Sequence, residues 1–201
     1  MIAEHLIYNT AIAIIIGLIV FRYTGRDHSW IIILVTYVPD LDKITEALFH
    51  RIGITVLVEG QNIQHGTFHN IAAMIIISVI MGFLLHPFGI RYFDTFVMSM
   101  IGLGSHLFED ALVYSSDYAY LWPFSHARTG LGWLPISVTE ESYRADFFHI
   151  ANTEVLLIGL IFLLTAILVR TRIEGSFGWI RWYMPENVYH KIFSKKIRST
   201  G

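Results

Sequence analysis

Apolar residues along this chain come in long unbroken runs rather than in short alternating patches. Residues 6–21, 69–90 and 155–169 contain no Asp, Glu, Lys or Arg. Their lengths approach or reach the roughly 17–25 residues that a helix needs to cross a bilayer. Two further stretches, 31–49 and 95–113, are apolar but interrupted by charge. Because a helix satisfies its own backbone hydrogen bonds, it is the element such runs form in lipid. The pattern therefore predicts an all-α fold, a polytopic membrane helical bundle with about five membrane-embedded helices. The stretch 31–49 contains Pro39, so it either spans or dips in and returns. The first run is read as a mature helix and not a secretory signal. Glu4 and His5 stand where a basic leader would be, and Phe21-Arg22-Tyr23 stands in place of a small-residue cleavage site.

Composition agrees with this pattern. Of 201 residues, 54% are hydrophobic and only 15% charged, where soluble domains carry about a quarter. The net charge of −2 excludes nothing by itself, but the placement of the positive charges is informative. With five spans, Arg22, Arg26 and Arg91 share a side with Arg170, Arg172, Arg181, Lys191, Lys195, Lys196 and Arg198. The opposite side receives Arg51, Arg128 and Arg144, with Lys43 inside the second segment. The positive-inside tendency then puts the C-terminus in the cytoplasm and the N-terminus outside, in the plasma or inner membrane. This divides the chain into a membrane-embedded domain, residues 1–170, and a basic cytoplasmic tail, residues 171–201. The one long connection, 114–150, is rich in aromatics and reads as a lid or surface segment. Absence of cysteine excludes disulfides and thiolate metal sites.

Three polar clusters interrupt the apolar runs. In GLGSHLFED, His106 and Asp110 lie four residues apart, on one face of a helix, with Ser105 beside them. An imidazole and a carboxylate presented together hold Zn, Mn or Fe. In a soluble protein the same pair is more often a histidine satisfied by an acid, but an ionisable side chain within a membrane segment is a functional hypothesis by default. In VPDLDKI, Asp40 and Asp42 follow Pro39. They are acids at a helix start, or two carboxylates on one side of a turn that bind a divalent ion. In QHGTFHN, His65 and His69 are four apart and share a face if helix begins at Gly66. His5, His126, His149 and Glu154 are lesser candidates.

In the five-span arrangement these groups all fall toward the outer ends of their segments or in outer loops. One composite polar site at the outer membrane face explains that agreement. The metal set so assembled is His5, Asp40, Asp42, His65, His69, His106 and Asp110. Divalent metal at such a site, Zn first with Mn or Fe as alternatives, suits hydrolysis. A carboxylate left off the metal, Asp40 or Glu154, would take a proton from the attacking water. The interfacial position favours a lipid or lipid-linked substrate, and a phosphate ester ahead of a carboxylic ester.

The motifs EHLIYNTAIA, VPDLD, HGTFHN, GLGSHLFED and LWPFS together resemble the inner-membrane family of membrane-bound metal-dependent hydrolases. In that family an N-terminal His, Pro-Asp-x-Asp, His-Arg-x-x-Thr-His-Ser, Gly-x-x-Ser-His-x-x-x-Asp and Leu-Trp-Pro recur in this order. The similarity covers roughly His5 to Ser125. Ser105, His106 and Asp110 meet their motif fully, as do Pro39, Asp40 and Asp42. HGTFHN departs from its motif: it is one residue shorter between histidines, lacks the Arg and ends in Asn70. The His-x-x-x-Asp element is also similar to one in zinc-dependent phospholipase C, which implies phospholipid cleavage. Two other classes compete: an ion- or metal-coupled transporter, and a non-catalytic membrane protein with a structural metal site. Nucleic acid is not an expected partner, since the short basic HKIFSKKIR suits anionic lipid head groups.

Overall fold

A computed structural model describes residues 2–55, 57–58, 61–62, 66–113, 118–133 and 153–193. Helix α1 is Ile2–Thr24, α2 Trp30–Val35, α3 Leu41–Ile52, α4 Ile71–Leu85, α5 Tyr92–Val113, α6 Thr153–Glu174 and α7 Glu186–Phe193. A two-residue antiparallel pairing, Leu57–Val58 with Gln61–Asn62, lies between α3 and α4. Among the described residues, four helices are long and apolar enough to cross a membrane: Ala3–Thr24, Ile71–Phe88, Tyr92–Val113 and Leu156–Glu174. The chain is therefore an all-helical membrane bundle, as the unbroken apolar runs predict.

The second apolar segment departs from a continuous span. It breaks into α2 and α3 at residues 36–40. Pro39 has no N–H to give Val35, so the backbone passes through short turns instead. Val38 N donates to Val35 O (3.0 Å), Leu41 N to Val38 O (3.2 Å) and Asp42 N to Pro39 O (3.3 Å). The break does not reverse the chain. Asp27 and Ser29, just before α2, lie against Gly17 midway along α1, whereas Asp40 lies with His5 at the start of α1. The 27–40 segment thus runs antiparallel to α1, climbing from its middle to its beginning.

The remaining directions follow from similar contacts. His69, just before α4, meets Asp110 near the end of α5, so these helices are antiparallel. Gly159 of α6 faces Ile7 and Tyr8, while Arg170 bonds to the Ile14 carbonyl, so α6 runs parallel to α1. One end of the bundle therefore collects the starts of α1, α4 and α6 with the end of α5. The stretch expected as a basic tail from residue 171 begins inside α6 and then folds back. Trp179, 5% exposed, packs with Ala11, Ile14 and Ala166. Arg170, assigned above to the basic side, is fully buried.

The core lies where α1, α2 and α5 meet: Ala13, Ile31, Ile32, Val35, Met98 and Leu103. Outer faces stay apolar and exposed, as at Ile76, Ile80 and Phe83 of α4 and Leu157, Ile161, Leu164 and Leu168 of α6. Such faces are what lipid covers. On α3, Leu41, Ile44, Leu48 and Ile52 are exposed at helical spacing along one stripe.

Candidate metal centre

Helix α5 builds one wall of the site. His106, Glu109 and Asp110, at i, i+3 and i+4, share its inner face, and all three are buried. Ser105 bonds to Asn9 and also donates to the Gly102 carbonyl (3.0 Å), and Asn9 Nδ2 donates to the His5 carbonyl (3.0 Å). These bonds set the height of α1 against α5 and bring His5 level with His106. The two rings stack with centroids 4.0 Å apart. His5 Nδ1 lies 2.9 Å from Glu109 Oε2, and its Nε2 lies 3.5 Å from Asp110 Oδ1.

The opposite wall comes from the start of α3 and the approach to α4. Gly66 occupies a turn at φ 97°, and Asn70, in extended conformation, caps α4 by accepting from Ala73 N (2.9 Å). Helix therefore begins after His69, and the expectation of a helical His65/His69 face does not hold. His65 and His149 lie outside the described residues, as does the side chain of Glu154. Asp42 Oδ2 accepts from Gly66 N (2.8 Å) and lies 3.4 Å from His69 Nδ1. Asp40 Oδ1 lies 3.8 Å from the other nitrogen, Nε2. The two aspartates thus address opposite sides of one imidazole. Tyr118 stacks on the His69 ring, with centroids 4.5 Å apart.

Between the walls the donor atoms converge. His69 Nε2 lies 3.3 Å from both Asp110 Oδ2 and His106 Nε2, and His106 Nε2 lies 3.5 Å from Asp110 Oδ2. Two overlapping groups could hold a metal ion: His5, Asp40 and His106; and His69, His106 and Asp110. The spacing suits the task. Ligands about 2.05 Å from a tetrahedral ion stand about 3.3 Å from one another. The donor set, three imidazoles and two carboxylates, is one that Zn, Mn and Fe accept. Asp110 Oδ1 is buried without a hydrogen bond, an arrangement that an ion would relieve. Among the described side chains, no Lys or Arg pairs with Asp40, Glu109 or Asp110.

Beside the site, burial pushes the Tyr37 phenol up to about 12, reinforced by the Asp40 and Glu109 carboxylates. It therefore stays protonated. His126 is exposed and belongs to neither donor group. The motif reading did not assign Glu109, Asn9 or Tyr118 a role. Glu109 had a legible signal, being one turn from His106 on the same face. Asn9 and Tyr118 are joined to the site by tertiary contact alone.

The helices and the buried donors define a multi-pass membrane protein with a candidate metal centre at one end of its bundle. More particularly, the chain belongs to the YdjM inner membrane protein family, whose model matches residues 1–178. No curated protein and no solved structure matches it.

Proposed function

We propose that this protein is a membrane-bound metal-dependent hydrolase that cleaves a phosphate ester of a lipid or lipid-linked substrate at the extracytoplasmic face, with its N-terminus outside and its C-terminus cytoplasmic. The carrying observation is the convergence of His5, His69, His106, Asp40 and Asp110 in two overlapping donor groups. A divalent ion, Zn first, would supply Lewis-acid polarisation of a phosphoryl oxygen and a nucleophile at neutral pH. His69, His106 and Asp110 would hold it, with His5 completing the set. Asp40 is the general base: at 15% exposure its side chain is more accessible than the Asp42 and Asp110 carboxylates, so it can meet an incoming water. Glu154, at the start of α6, is the second carboxylate proposed for proton transfer. The exposed apolar stripe of α3 supports an acyl-bearing substrate, since that helix starts at the site itself. A phosphate ester is proposed ahead of a carboxylic ester because a divalent ion suits in-line phosphoryl displacement.

The test is metal content by inductively coupled plasma mass spectrometry of detergent-purified protein, followed by hydrolysis of phosphate-ester lipids in mixed micelles. Wild type should retain about one ion per chain, and His106→Ala and Asp110→Ala should lose both ion and turnover while remaining folded. Metal retained without turnover, and with no site for an added anion, would instead identify a closed structural centre. Metal-free wild type that cannot be reconstituted would overturn the hydrolase.

A further inference from the structure

Glu109 is a carboxylate of the α5 wall for which the proposed reaction has no use, and it is 5% exposed within a membrane-spanning helix. The family pattern Gly-x-x-Ser-His-x-x-x-Asp leaves its position unspecified. Burying a carboxylate there is costly unless a partner offsets it, and its bond to His5 Nδ1 crosses 104 residues of sequence. From the metal-site reading above, we infer that Glu109 is a positioning residue that turns His5 into a metal ligand by holding its ring and presenting Nε2 to the donor cluster.

Three contacts define the His5 ring. Its face rests on His106, Nδ1 meets Glu109, and Nε2 points at Asp110 Oδ1. A carboxylate at Nδ1 calls for the proton there, which leaves the Nε2 lone pair for an ion. A looser pairing of the same kind stands across the site, at 3.4 Å. Asp42 stands at Nδ1 of His69, Tyr118 covers its ring, and Nε2 faces Asp40, Asp110 and His106. Two carboxylate–histidine pairs therefore flank His106 from opposite walls. Such outer partners orient a ligand and raise its basicity, and losing one weakens metal binding about 10–100-fold.

The experiment measures Zn²⁺ and Co²⁺ affinity by chelator competition, with the Co²⁺ visible bands reporting coordination, in full-length protein in detergent. Glu109→Ala should bind about 10–100-fold more weakly at unchanged stoichiometry. Glu109→Gln, which still accepts from Nδ1–H, should lose less. In a His5→Gln background neither change should weaken binding further, because the ligand that Glu109 positions is gone. Where Glu109→Ala fails to fold, Glu109→Gln measured with and without His5→Gln carries the same comparison. Wild-type affinity in the Glu109 variants, or an equal loss with and without His5, would overturn the positioning role and leave the metal site standing. A wild-type protein that binds neither ion overturns both.

Discussion

Two buried polar clusters sit in the same apolar bundle and are built on opposite logic. At the candidate metal centre, nitrogen and oxygen atoms approach to 3.3–3.8 Å around Asp110 and His69, and no Lys or Arg among the described side chains joins them. Midway along α1, Arg170 forms a network that neutralises its own charge, with only its Nη2 buried without a hydrogen bond. Its Nη1 lies 2.8 Å from Asp27 Oδ2 and donates to the Ile14 carbonyl (3.2 Å) and Tyr183 (3.1 Å), while Nε bonds to Glu174 (2.9 Å). Ser29 donates to Asp27 Oδ1 through both N (2.8 Å) and Oγ (2.6 Å), and Trp179 lies against the guanidinium at 5.0 Å. Gly17 leaves room for this: a Cβ there would fall within 2.4–2.5 Å of Asp27, Arg170 and Ser29. Among the described side chains, the first cluster gathers imidazoles and carboxylates with no Lys or Arg, whereas the second contains its own guanidinium. Burial alone does not mark a ligand site, but convergence of lone pairs does.

The largest effect expected from this contrast is on stability. Arg170→Met leaves Asp27 as an uncompensated buried charge and should cost about 3–5 kcal/mol, with or without metal. Asp110→Asn is the counterpart. It removes a buried carboxylate whose Oδ1 has no hydrogen bond, so metal-free stability should hold or rise while stabilisation by added Zn²⁺ disappears. Thermal unfolding in detergent, with and without Zn²⁺, reads both. A metal-dependent loss in Arg170→Met, or a large metal-free loss in Asp110→Asn, would dissolve the distinction.

Asp42 sharpens the comparison because it combines both designs. Its Oδ2 accepts from Gly66 N and Phe68 N (2.8 and 3.4 Å) and also faces His69 Nδ1. The sequence reading grouped Asp42 with the metal ligands, but the structure places it behind His69, in neither donor group. Asp42→Ala should therefore retain the ion at about 10–100-fold lower affinity, where a ligand's loss would abolish binding. Chelator competition on the purified variant distinguishes the two.

How much of this was legible in the chain depends on the range of the interaction. The four long helices follow from runs such as 69–90, and His106 with Asp110 follows from helical spacing. Asp40 and His69 are found by motif, though the helix expected to pair His65 with His69 is precluded by the turn at Gly66. Pro39 was a visible signal for the break between α2 and α3, yet charge placement argued for a continuous span, and the antiparallel course of 27–40 satisfies that placement without one. Arg170 reads as a flanking charge because it ends an apolar run, and nothing local signals that it is buried. Its pairing with Asp27 exists only once α6 packs parallel to α1. The His5–Glu109 bond depends likewise on the Ser105–Asn9 contact that sets helix height.

The smallest expected effect tests whether the Arg170 network excludes water at Tyr183. Tyr183 donates to the Ala13 carbonyl (2.9 Å) and meets Ser29, Arg170 and Asp27. Tyr183→Phe removes one member while leaving Arg170 on Asp27, Glu174 and Ile14, so it should cost about 1 kcal/mol, the net worth of a hydrogen bond, far less than Arg170→Met. Burial, with Asp27 beside it, also pushes the Tyr183 phenol well above its usual range. The unfolded chain then releases that proton near pH 10 while the folded chain keeps it. With fewer protons bound in the unfolded state, stability falls as pH rises past about 10. Tyr183→Phe should flatten that part of the profile and leave the region below about pH 9 parallel to wild type. Unfolding midpoints collected across pH in detergent decide the matter: an unchanged alkaline slope in the variant would mean that Tyr183 is wetted, and the network open.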